Sequence, residues 1–270
     1  MIYHVSREDD PRLKPYRHVG DAAWLEARGL FVAEGRLVVE RLLSLACQEI
    51  EHGGFVVDSV LLTEAACRAI ESRLDPAWVV LVAEPAIVDG VTGIKFHRGC
   101  LGLVRRPSQP LPLSALANTR RLVLLEAVGN PDNIGGVFRS AAALGADAVL
   151  LDRACGDPFY RKAVRTSMGA VLRLPSTRID PWLDGLATLR NMGFTIVALA
   201  PAGELTIDEF AATLSPDTRL ALLAGSEGEG LSTAAREAAH VTVRIPVDAR
   251  SDSLNVVVAV SIALQRFRRS

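Results

Sequence analysis

The residues of this 270-residue chain whose types could do chemistry fall in three short stretches. GSEGEGL (Gly225–Leu231) follows the apolar run TRLALLA and sets two carboxylates, Glu227 and Glu229, in a glycine loop without lysine. Glycine loops after strands commonly cradle phosphates, which these carboxylates would repel. Backbone groups and glutamates together suit a neutral or cationic ligand with amino and hydroxyl donors. NPDNIGGVFRSAAALGA (130–146) carries Asn133, able to bond local backbone, and Arg139, a cation on a helix otherwise built from small and apolar residues. In it, Gly135–Gly136 allow close approach at the helix start. IPVDARSDSLNVVVA (245–259) carries Ser253, which reads as the N-cap of a terminal helix, and Asn255 in that helix's first turn. The glycine order is not G-x-G-x-x-G and no GK[ST] follows, which argues against a dinucleotide fold and a P-loop.

All three stretches sit where strands end. RLVLLEAV (121–128), DAVLLD, FTIVALA, TRLALLAG and VTVRIPV read as apolar strands, separated by helical patterns such as DPWLDGLATLRNMG. Strands alternating with helices predict a parallel sheet covered on both faces, with ligands at the carboxyl ends of its strands. Upstream, AEGRLVVERLLSLA alternates with the short β-rich runs VDSVLLT, AWVVLVA and CLGLVRR, a second α/β pattern. Three prolines in RRPSQPLPLSAL mark a seam. The boundaries expected are 1–106 for a first domain, with 1–20 as an extension, 107–116 for a linker and 117–270 for a second domain. The final helix is apolar almost all round from Leu254 to Leu264, so it needs burial on several sides, within the chain or at a subunit interface.

Bulk properties narrow the classes further. A net charge of −1 argues against a general nucleic-acid coat protein, although only Lys14, Lys95 and Lys162 among the 30 basic residues are lysines. Arginine favours planar contacts to phosphate and carboxylate, and the same bias can arise from a GC-rich genome. Cys47, Cys67, Cys100 and Cys155 are far apart and read as free thiols, and no local pattern encodes a metal site. The start of the chain is charged and no apolar run reaches the roughly eighteen residues of a membrane span, so a cytoplasmic protein away from membranes is expected.

In this order and spacing, NIGGVFR, GSEGEG and IPVDARSDSLNVVVA resemble the motifs of the SpoU (TrmH) family of RNA ribose methyltransferases, in the SPOUT superfamily. RTSMGAVLRLP (165–175) is similar to that family's connecting segment, and the likeness covers residues 120–268. FVAEGRLVVERLL and GCLGLVRRP are similar to the substrate-binding domain often fused to such enzymes. Ala249 and Asp252 depart from the family's usual glycine and glutamate.

The resemblance implies a smaller N-terminal α/β RNA-binding domain and a parallel-sheet C-terminal domain with a deep trefoil knot. It implies S-adenosylmethionine as methyl donor, no metal, and a ribose 2′-hydroxyl of RNA as acceptor, ribosomal RNA ahead of transfer RNA. A homodimer through the C-terminal domain is implied as well. Carried over by position, Arg139 would stabilise charge on the ribose oxygen or take its proton, from a neighbouring subunit. Asn133, Glu227, Ser253 and Asn255 would organise the site, Glu227 by pairing with Arg139 or bonding the substrate. Gly225, Ile245 and Leu254, with Leu199 and Ala200, would line the cofactor pocket. Arg105, Arg106, Arg161, Lys162 and Arg165 are candidates for docking RNA. A non-catalytic RNA-binding protein of the same fold is the alternative, and a nucleotide-dependent oxidoreductase a distant third.

Overall fold

The computed structural model describes residues 1–46, 55–93, 99–107, 109–248, 250 and 253–268; Cys47, Ala249 and Asp252 lie outside them. The chain divides into two compact units, residues 1–109 with 159–172, and residues 110–158 with 173–270.

The first unit carries β1 (Ile2–Val5), α1 (Ala22–Glu26), β2 (Leu30–Glu34), α2 (Arg36–Ala46), β3 (Val56–Leu62), α3 (Glu64–Ile70), β4 (Val80–Ala83), α4 (Pro85–Thr92) and β5 (Cys100–Arg105). Its mixed sheet runs β1-β4-β3-β5-β2, with β5 antiparallel to both of its neighbours. Strand alternation explains why β3 is apolar at successive positions. Leu61 enters one buried cluster while Val60 and Leu62 enter another, so both faces of the sheet are covered. The first twenty residues take part: β1 pairs with β4, Leu13 and Tyr16 are fully buried, and the Tyr16 hydroxyl meets that of Ser59 at 2.9 Å. Burial raises the Tyr16 phenol well above its ordinary range.

The second unit carries β6 (Arg121–Glu126), α5 (Pro131–Ala143) and β7 (Ala148–Leu151). Next in sequence comes α6 (Arg161–Thr166), which clusters with the first unit. There follow β8 (Ser176–Arg178), α7 (Trp182–Asn191), β9 (Phe194–Leu199), β10 (Leu205–Thr206), α8 (Ile207–Thr213), β11 (Arg219–Gly225), α9 (Thr233–Ala238), β12 (Val241–Arg244) and α10 (Val256–Arg266). Its sheet runs β10-β12-β9-β11-β6-β7-β8, and every described pairing in it is parallel, as the strand–helix alternation predicts. Leu122 and Leu124 of β6, Ile196 and Ala198 of β9, and Ala221 and Leu223 of β11 pack into one cluster with Leu186 and Leu189 of α7. The intervening Val123, Leu125, Val197 and Leu222 are buried on the other face.

One local expectation shifts. The N-cap of α10 is Asn255, whose side chain accepts from the Val257 amide at 2.8 Å, so Ser253 lies outside the helix instead of capping it. Asparagine competes well with serine for this role, and here its side chain is the one that reaches a free amide of the first turn. The α10 surface is only partly covered: Val256, Val260, Ala263 and Leu264 are buried, while Val258 and Ile262 are 44% and 38% exposed.

Candidate active site

The parallel sheet brings the carboxyl ends of β9, β11 and β12 side by side, and a cavity of about 180 Å³ opens there. Its lining includes Leu199, Ala200, Gly225, Ile245 and Leu254, the five positions expected to hold a cofactor, together with Glu227 and Ser253. Val243 and Val256 complete an apolar wall.

The glycine loop is shaped by backbone contact. Ser226 and Gly230 form an antiparallel bridge, with the Gly230 amide donating to Ser226 at 3.1 Å. This folds the loop back onto its first residue, so that a Cβ on Gly225 would lie 2.3 Å from the carbonyl carbon and oxygen of Gly230. Gly228 and Gly230 take φ values of 100° and 70°, a region that side chains disfavour. The loop therefore needs glycine for two separate reasons, contact at its base and chain reversal at its tip. Glu227 and Glu229 are left exposed.

Asn255 joins two of the motifs to the third. Its amide nitrogen donates to Asn133 Oδ1 at 3.0 Å and to Glu227 Oε1 in a short hydrogen bond. Asn133 is 7% exposed on the first turns of α5, and its side-chain oxygen is used across the helix pair rather than on local backbone. Helices α5 and α10 can approach this closely because Gly136 faces Val257; a Cβ there would lie 2.7 Å from Val257 Cγ2. An amide between an amide oxygen and a carboxylate fixes the direction of each bond, so this cluster presents a defined set of acceptors beside the cavity.

Arg139 stands apart. It is exposed, does not line the cavity, and makes no hydrogen bond or ion pair among the described residues. Glu227 is bonded to Asn255, and no ion pair joins it to Arg139 among the described residues. Helix periodicity separates the two side chains: Arg139 follows Asn133 by six positions, which sets them about 120° apart around α5.

The basic residues considered for RNA docking belong to the first unit, and each of them has a partner. Arg161 and Arg165 share the buried Glu34 carboxylate at 2.8 and 3.7 Å, and Arg105 pairs with Asp58 at 2.8 Å. Arg106 donates to the Leu30 carbonyl and lies over the Phe159 ring, and Lys162 also has a partner.

Two side chains meet the end of β6: Glu126, which the sequence did not single out, and Cys155 from the loop after β7, a free thiol as expected. Glu126 is 8% exposed and accepts from both the amide and the hydroxyl of Ser232, each at 2.8 Å. Cys155 donates to the Leu125 carbonyl at 3.2 Å and accepts from the Val128 amide at 3.3 Å, which braces the turn leading to α5. Burial, helped by the neighbouring Asp152 carboxylate, pushes that thiol up to about 12, so it is a structural thiol rather than a nucleophile. A lone acid closing an apolar strand was the only available signal for Glu126, and the spacing to Ser232 gives none.

Known proteins resemble this chain in sequence and in fold. Residues 120–265 match the model of the SpoU rRNA Methylase family. An uncharacterized tRNA/rRNA methyltransferase of Mycobacterium bovis is 35% identical over 100% of this chain and 92% of its own length. Among solved structures, an AdoMet-bound rRNA methyltransferase from Sinorhizobium meliloti superimposes with a TM-score of 0.81 at 25% identity, covering 98% of this chain and 97% of the other. The SpoU methyltransferase AviRb from Streptomyces viridochromogenes does so with a TM-score of 0.77 at 25% identity and 96% coverage of each chain. The chain belongs to the SpoU rRNA Methylase family of RNA methyltransferases.

Proposed function

We propose that this protein transfers a methyl group from S-adenosylmethionine to a ribose 2′-hydroxyl of RNA, with ribosomal RNA as the substrate class. The observation that carries the reading is the Asn133–Asn255–Glu227 cluster at the rim of a cavity built from three parallel-strand ends. The cavity residues fit the donor. Leu199, Val243, Ile245 and Val256 offer an apolar wall for a base, the glycine loop offers backbone groups, and Glu227 and Glu229 set negative charge near a cationic ligand. The Sinorhizobium meliloti protein is itself described as AdoMet bound.

Bound there, S-adenosylmethionine supplies an electrophilic methyl carbon on a sulfonium. The chain's own task is to hold the hydroxyl oxygen in line with that carbon, which positioning alone can accelerate strongly. Glu227, held by Asn255, is placed to accept a hydrogen bond from the incoming hydroxyl. As the O–C bond forms and the S–C bond breaks, the hydroxyl proton passes to water, and Arg139 stabilises the negative charge that develops on the oxygen. A guanidinium holds its own proton too tightly to serve as a base at neutral pH. Ser253, on the cavity lining, helps seat the ribose.

Arg139 does this work at the cavity of a second copy of the chain. Its exposure outside its own cavity supports that reading, as do the exposed Val258 and Ile262, four residues apart on the helix packed against α5. The first unit recruits RNA, and the second unit carries the family's trefoil knot; a strand order far from sequence order supports the latter.

Calorimetry and methyl transfer together test the reading. Wild-type protein is expected to bind S-adenosylmethionine, and Arg139→Ala to bind it with affinity within about twofold while losing 100-fold or more in transfer, on the order of one lost oxyanion contact. A wild type that does not bind, or a variant with full turnover, contradicts it.

A further inference from the structure

The glycine loop has a second attachment that lies outside the three motifs. In the β6–β11 register Gly225 stands opposite Glu126, so the first residue of the loop and this carboxylate share one level of the sheet. The loop leaves at Gly225, closes on itself at Gly230, and meets Glu126 again through Ser232. Glu126 Oε2 accepts from the Ser232 amide and Oε1 from the Ser232 hydroxyl, both at 2.8 Å. The same hydroxyl accepts from the Ala235 amide at 3.1 Å as the N-cap of α9. One buried carboxylate thus fastens the far end of the loop to the strand beside its near end.

A buried carboxylate is costly unless it is hydrogen-bonded, and these two bonds engage each of its oxygens once. The cost of leaving it bare therefore acts against any movement that withdraws Ser232. Leu231, between the bridge and the clip, is 7% exposed in the core cluster, so the loop is held from two directions.

We propose that Glu126 is a positioning residue for the cofactor loop: through Ser232 it holds Gly225–Gly230 in the conformation that forms the cavity wall and sets Glu227 against Asn255. It is not among the residues that line the cavity. The inference rests on S-adenosylmethionine being the ligand of that cavity.

The side-chain series separates positioning from general packing. Glutamine keeps the length and one acceptor for the Ser232 amide, so Glu126→Gln retains binding close to wild type. Glu126→Asp falls short by one methylene and Glu126→Ala removes both acceptors. Each is expected to weaken S-adenosylmethionine binding by about tenfold, the size of one lost charge-assisted bond, with the KM for RNA unchanged. Ser232→Ala removes the hydroxyl bond alone and falls between. Calorimetry on the full-length protein reads the affinities, and amide hydrogen exchange across residues 226–232 reads the loop without any ligand. Faster exchange confined to that loop in Glu126→Asp, with weaker binding, supports the clip. Wild-type exchange and affinity in Glu126→Asp and Glu126→Ala overturn it. A wild type that fails to bind the cofactor removes the methyltransferase reading instead, while the exchange comparison still decides whether the clip exists.

Discussion

Asn255 uses both ends of one amide at once: its oxygen caps α10, and its nitrogen holds Asn133 and Glu227 together. The two duties can be separated. Asn255→Asp keeps an oxygen for the Val257 amide, so the cap survives and thermal stability changes by no more than about 0.5 kcal/mol. The same change sets a carboxylate against Glu227 and an acceptor against Asn133, which disorganises the site. Methyl transfer is expected to fall by about 100-fold with the melting temperature nearly unchanged, the size of a lost oriented donor. A parallel loss of stability and activity would mean that the residue is only a cap. The residues of this cluster were readable from sequence as motif members, but their mutual bonding was not. Spacing suggested that Ser253 caps the helix, and the family resemblance that Glu227 either pairs with Arg139 or bonds the substrate. The cap instead goes to the side chain that reaches the free amide, and Arg139 lies on a different face of α5.

At the scale of elements, the glycine loop and α10 make the sharpest demands. Any side chain at Gly225 must displace the Gly230 backbone, which cannot yield as the tip of a flexible side chain would. Gly225→Ala is therefore expected to leave the sheet folded and to weaken S-adenosylmethionine binding at least tenfold by calorimetry, since overpacking of this kind costs about 1–3 kcal/mol. Binding at wild-type strength would mean that the loop does not shape the cavity. Strands β6, β7, β9, β11 and β12 were legible as apolar runs between helical patterns, whereas β8 and β10, three and two residues long, were too short to stand out. Strand β1 was not legible either: IYHV is too short and too mixed to stand out, and it is a strand because β4 offers an open edge. Nor could periodicity show that residues 159–172 cluster with the first unit, because that follows from contacts such as Arg161 with Glu34, 127 residues apart in sequence.

For the whole molecule, the exposed pair Val258 and Ile262 and an exposed Arg139 with no ion pair among the described residues converge on one expectation, a dimer with composite sites. Ile262→Asp, which places a charge on that apolar stripe, is expected to yield a monomer by sedimentation that keeps its secondary structure and loses methyl transfer. Mixing Arg139→Ala protein with Asn255→Asp protein then tests composition. If each site draws its arginine from the other copy, mixed dimers contain one intact site and regain up to about a quarter of wild-type activity, half the dimers being mixed with one of two sites intact. No recovery on mixing, with exchange of subunits verified, would place Arg139 and Asn255 in the same copy's site.

The claim on which the account stands is transfer of a methyl group to ribose, and product mapping tests it most directly. Purified protein, S-adenosylmethionine with a labelled methyl group and RNA from cells lacking the enzyme are incubated, and the modified nucleotide is isolated and digested. The account predicts label on a ribose 2′-oxygen of ribosomal RNA, absent when Arg139→Ala replaces the wild type. Label on a base, or an equal yield from Arg139→Ala, would contradict it.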